Sequence, residues 1–250
     1  MNIHRQIRPT CRQTLTRGFT LVELLVVIII LAALAAISFT VATRAKQQAN
    51  SAKAVQSMRQ IGSLVLGLAS ELGGKMPSEG HYPGQGPKDN PYTDDMSWDG
   101  AVLRYMGVTD VEASTPPRVP RSYESMFFHG NDDPTPVTGP LTPTAKRTFV
   151  YLRALSDIPV SQITDPTRTA MLSELPWANN RVGFKTISFM DPAALVKNPK
   201  SKRDLNPGGK FNFAFVDGHV SSMTVKESVG KGSTSGLASA KGVWTIDPLD

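Results

Sequence analysis

The chain has one cysteine, Cys11, in 250 residues. It cannot form an internal disulfide or a site with several Cys ligands. Beyond residue 18 there is no thiol at all, so a chain cut there has no thiol chemistry. Dense basic runs are missing too. The formal charge of +6 invites a nucleic-acid reading. Four of those charges, Arg5, Arg8, Arg12 and Arg17, lie in the first 18 residues, which hold no acid. Without them the charge is +2, so no nucleic-acid partner is expected. No G-x-S-x-G elbow is present. His4, His81, His129 and His219 show no metal spacing such as H-E-x-x-H. Gly208-Gly209-Lys210 lacks the full spacing of a phosphate loop. Repeats and low-complexity tracts are absent as well.

Polar side chains are missing altogether from residues 24 to 37, LLVVIIILAALAAI. Phe19 to Phe39 holds one charge, Glu23. About 20 apolar residues span a bilayer as a helix, so this segment is long enough. Four arginines before it, with no acid, place the N-terminus on the cytoplasmic side. A secretory signal peptide is one competing reading, since Ala33-Leu34-Ala35 and Ala36-Ile37-Ser38 look like cleavage sites. The apolar stretch exceeds the usual ~7 to 15 residues of such a peptide. A plain signal anchor explains the span but not Glu23. An acid inside a span is costly and should have a partner, yet no base lies within the span. A cut after Gly18 would give Phe19 a free ammonium, four residues before Glu23 and on the same helix face.

Arg17-Gly18-Phe19-Thr20-Leu21-Val22-Glu23-Leu24 resembles the leader motif of type IV pilins and type II secretion pseudopilins. The resemblance covers about residues 15 to 45. In that family a membrane aspartyl peptidase cuts after the glycine and methylates the new N-terminal phenylalanine. The glutamate helps to register subunits through a neighbour's N-terminus. The resemblance therefore implies cleavage between Gly18 and Phe19, N-methylation of Phe19, and an assembly role for Glu23.

Beyond the span, Val41 to Leu72 contains no proline. Val55, Met58, Ile61, Val65, Leu68 and Leu72 recur at helical spacing and predict a stripe packed on the C-terminal domain. Gly73-Gly74 and Pro77 form a helix stop. The whole rod would be about 80 Å long. Most glycine and proline follows residue 73, and residues 75 to 147 read largely as loop, with a short helix at Ser97 to Met106. Thr148 to Leu152 and Thr169 to Glu174 read as strands, with Val160 to Arg168 as a turn into the second.

Phe211, Phe213 and Phe215 alternate with Asn212 and Ala214, then Asp217-Gly218 precedes His219 to Val225. That pattern predicts a hairpin with a two-residue turn and both turn residues at positive φ. The phenylalanines are expected to face the long helix. Phe-Ala-Phe-Val-Asp-Gly-His-Val also resembles the C-terminal signature of a group of prepilin-like proteins, though Pro207 stands where that group often has a histidine. Asp217 and His219 are expected to be a turn acid and an exposed strand histidine, not a catalytic or metal pair. The oxygen-rich clusters Asp94, Asp95, Asp99 and Asn131, Asp132, Asp133 could supply structural calcium ligands, but neither fits an EF-hand. Solvated acidic loops are the commoner use. Tyr82, Tyr92 and Trp98 could form a contact surface, with core packing the commoner fate.

The expected fold is α+β, a pilin-like lollipop: a long N-terminal transmembrane helix packed on a small antiparallel sheet. The expected divisions are a cleaved leader (1–18), a membrane half of the helix (19–40), an extracytoplasmic half (41–73) and a globular domain (74–250). The expected function is structural, without an active site or cofactor. Partners would be other pilin-like subunits, the prepilin peptidase, a secretion or pilus assembly platform and the inner membrane. A pseudopilus is favoured over an adhesive or motility pilus because no cysteine pair is present. A DNA-uptake filament is a further option. The alternative class is a pilin-type anchor carrying a ligand-binding or enzymatic head.

Overall fold

The computed structural model describes residues 19–80, 97–108, 119–132, 145–177, 180–183, 191–197 and 205–247. Gly18 and the rest of the leader lie outside them, as do Tyr82, Tyr92, Asp94, Asp95 and Asp133. The chain divides into two compact units at Arg44 and Ala45.

Helix α1 (Leu21–Glu71) runs through 51 residues without interruption. Nothing in it breaks a helix, and it ends where Gly73 and Gly74 take positive φ. Its residues in the second unit bury a stripe centred on Met58, Ile61, Val65 and Leu68, with Ala54 inside and Val55 at the edge, and Leu72 just past the helix end is half-buried. The expected helical spacing is thus found, turned slightly toward Ala54.

The second unit is built on a four-stranded antiparallel sheet in the order β1-β2-β3-β4. The strands are β1 (Phe149–Tyr151), β2 (Ala170–Glu174), β3 (Phe211–Phe215) and β4 (Val220–Met223). The α+β expectation is therefore met. A register shift lies between Ala170 and Leu172, opposite β3. The unit also holds four short helices among the described residues: α2 (Trp98–Tyr105), α3 (Glu124–Phe127), α4 (Pro192–Lys197) and α5 (Val225–Ser228). Trp98 is fully buried, stacked on Tyr151 at 5.8 Å and edge-on to Phe127 at 6.1 Å. It is a core residue, not a contact surface.

The expectation for the hairpin turn needs correction. Asp217 is not at positive φ; of the two turn residues only Gly218 is, at 91°. Gly218 N–H donates to Phe215 O, and Phe215 N–H donates to His219 O, both at 2.9 Å. Pairing ends at Ala214 and Val220, so the connection is longer than two residues. A turn closed this way needs only one left-handed residue, which glycine supplies without a Cβ clash. Phe213 and Phe215 share one buried core with Met58, Ile61, Val65 and Leu68 of α1. Phe213 meets Trp244 edge-on at 5.8 Å, and Phe215 stacks on His219 at 4.1 Å. All of β3 is buried, Asn212 included.

Candidate functional site

The N-terminal end of α1 combines a polar cap with an unburied apolar surface. Thr20 and Glu23 form a capping box. The Thr20 backbone N–H and hydroxyl donate to Glu23 Oε2 at 2.9 and 2.8 Å, and Glu23 N–H donates to Thr20 Oγ1 at 3.2 Å. Two N–H groups left open by the helix start are satisfied reciprocally. Phe19 is 76 % exposed, and every large apolar side chain from there to Val41, fifteen in all, is exposed. Burying a residue of this size is worth about 1.5–3 kcal/mol. The surface therefore represents on the order of 20 kcal/mol or more that water does not offer. Among the described residues α1 is the one helix long and apolar enough to cross a membrane.

Residues 15–39 match the family model described as the prokaryotic N-terminal methylation motif. The chain carries a prepilin-type methylation motif. No curated protein and no solved structure matches the chain. The motif and the apolar helix fit a type IV pilin-like precursor anchored in a membrane. Within the motif, Glu23 meets Thr20, a partner other than the cation expected from the sequence. The Thr-x-x-Glu spacing of a capping box was the signal that could have found this.

Outside the motif the sequence-derived residues are spent on structure. His219 Nδ1 lies 2.6 Å from Asp217 Oδ1, and the same oxygen accepts the His219 N–H at 3.1 Å. Both side chains are part-exposed on the hairpin connection; Asp217 is the expected turn acid, whereas His219 lies just before β4 and not on a strand. Asp99 is fully buried and paired with Arg147 Nη1 at 2.5 Å. Arg147 also donates from Nε to Asn180 Oδ1 at 2.7 Å, and Ser97 donates to Asp99. Asp132 Oδ2 accepts the Thr148 hydroxyl at 2.7 Å. No group of three or more His, Cys, Asp or Glu side chains among the described residues is arranged to hold a metal ion.

A second buried polar group was not legible beforehand. The Glu174 carboxylate accepts from Asn212 N–H at 2.9 Å, Asn212 Nδ2 at 2.8 Å and Asn206 Nδ2 at 2.6 Å. Burial pushes its pKa up to about 7 against the pull of these donors, with the Asp132 charge adding to the rise. His129 Nε2 lies 3.6 Å from Glu174 Oε1. Burial holds His129 down at about 4, with Asn206 opposing. A groove of about 630 Å³ also runs along α1 from Lys53 to Leu64, closed by Met106 and Met126. Among the described residues that line it, Lys53 is the one ionisable side chain.

Proposed function

We propose that the chain is a structural filament subunit. It is cut between Gly18 and Phe19 by the prepilin peptidase and methylated at Phe19. It rests in the bacterial inner membrane with its N-terminus cytoplasmic and residues beyond the span outside. An assembly platform then inserts it, with other pilin-like subunits, into a type II secretion pseudopilus or a type IV pilus-like filament. The absence of a cysteine pair supports the pseudopilus among these. Catalysis and cofactors have no part in this role.

The observation that carries this reading is the exposed apolar length of α1 headed by the methylation motif. Lipid satisfies that surface before assembly, and neighbouring helices satisfy it afterwards. Head-to-tail contacts that do not close on themselves extend into filaments. The test is mass spectrometry of the membrane-extracted protein from a host with the peptidase. A chain beginning at N-methylated Phe19, with Gly18→Ala left uncut, is the expected result. A mature chain beginning at any other residue removes the filament reading.

A further inference from the structure

The turn that carries His129 is tied to α1 through one residue, Asn131. The Asn131 side chain accepts from Asn50 Nδ2 at 2.8 Å. It donates from Nδ2 to Gln47 O at 3.1 Å and to Leu205 O at 2.8 Å. One amide thus holds α1 and residue 205 together. Gly130 lets the turn approach this closely, because a Cβ there would come within 2.7 Å of the Asn50 side chain. Asn131 is held in turn by the imidazole: its backbone N–H donates to His129 Nδ1 at 3.0 Å.

That bond fixes the protonation of the ring. Nδ1 can accept only while it bears no hydrogen, so the neutral ring carries its hydrogen on Nε2. Nε2 lies 3.6 Å from Glu174 Oε1, and the Asn206 side chain also bears on the ring. Proton uptake must occur on Nδ1. It would set two N–H groups against each other at the contact that positions Asn131.

We infer that His129 is a pH-operated latch: with Nδ1 unprotonated it holds Asn131 where the Asn131 side chain ties α1 to residue 205, and protonation of Nδ1 releases that tie. The titratable groups bearing on the ring are Glu174, from β2, which holds its proton below about 7, and Asp132, from its own turn, which acts on Glu174. The residues contributed by α1, by the 205–206 segment and by β3 are neutral: Gln47, Asn50, Asn206 and Asn212. Burial keeps the ring neutral to well below pH 6.5, so the latch is closed at neutral pH and opens in acid.

The test is a titration of the full ¹⁵N-labelled chain in detergent micelles from pH 7.5 to 3.5. Ring ¹⁵N shifts report the tautomer of His129. Exchange of the Asn131 amide and the side-chain NH₂ signals of Asn50 and Asn131 report the tie. The expected result is the Nε2–H tautomer at neutral pH. The Asn131 amide should lose protection at the midpoint of the His129 titration, while Phe213 and Leu172 amides stay protected. In His129→Phe the Asn131 amide should exchange at least tenfold faster at neutral pH, with no acid step. The inference is overturned by an Nδ1–H tautomer, by a tie that persists after His129 has titrated, or by an acid step retained in His129→Phe. Simultaneous loss of strand protection overturns it as well, because the transition is then global. The wild-type titration decides the matter even if the Phe variant does not fold.

Discussion

Glu23 Oε2 accepts two hydrogen bonds from Thr20, one from the peptide N–H and one from the hydroxyl. The acid therefore has a partner in its own first turn before any cut is made. Losing an N-cap side chain costs a helix about 1 kcal/mol, and that is about fivefold in a local opening equilibrium. Thr20→Val should raise exchange of the Glu23 amide about fivefold in micelles, because that amide donates to the Thr20 hydroxyl. An unchanged rate would mean that the capping box does not hold the helix start.

Glu23→Ala separates capping from assembly. Removing a charge from an apolar segment makes membrane insertion easier, so the membrane-bound amount should not fall. Filament yield should fall if the carboxylate meets a neighbour's N-terminus. Thr20→Val is the control, since it weakens the cap and keeps the charge. Sheared-filament yield, normalised to membrane-bound subunit, gives the answer. Equal yields for Glu23→Ala and wild type would leave Glu23 with capping alone.

The Arg147–Asp99 pair makes a different kind of prediction. Both side chains are fully buried, and the guanidinium is shared among Asp99, Ser97 and Asn180. Removing one member of such a pair strands the other, a loss of roughly 3–5 kcal/mol. Asp99→Ala should destabilise the second unit by that amount in urea denaturation followed by Trp fluorescence. Asp99→Leu combined with Arg147→Met should recover most of it, because no charge is then left buried. A double variant as unstable as the single would show that the contacts to Ser97 and Asn180 matter more than the charge.

What could be read in advance was whatever repeats along the chain. The apolar run, the Met58-Ile61-Val65-Leu68 stripe and the strand alternations are periodic, and they were found as elements where expected. The methylation motif was legible because its residues are contiguous. The polar interior was not. Asp99 and Arg147 are 48 positions apart, and His129 and Glu174 are 45 apart. No local rule distinguishes a buried Glu174 from a solvated one.

His129 and Glu174 pull stability in opposite directions with pH. His129 titrates at about 4 in the fold against 6.5 in the ordinary state. Its stabilising contribution is present above pH 6.5 and is lost as pH falls toward 4. Glu174 titrates at about 7 against an ordinary 4.5. Its contribution is present below pH 4.5 and is lost as pH rises through 7. Each swing is on the order of 3 kcal/mol at about 1.4 kcal/mol per pH unit of displacement. Between 4.5 and 6.5 the unfolded pair carries one proton, on the imidazole, and the folded pair also carries one, on the carboxyl. The pair therefore adds almost no slope in that window. Single substitutions should uncover the two halves. Glu174→Gln leaves the histidine, so stability relative to wild type should fall as the buffer is taken from pH 6.5 toward 4. His129→Gln leaves the carboxyl, so stability should fall as pH rises from 4.5 toward 7. Urea denaturation of the full chain in micelles at half-unit pH steps measures both slopes. Slopes of the same sign in the two variants would show that the two groups do not divide one proton between them.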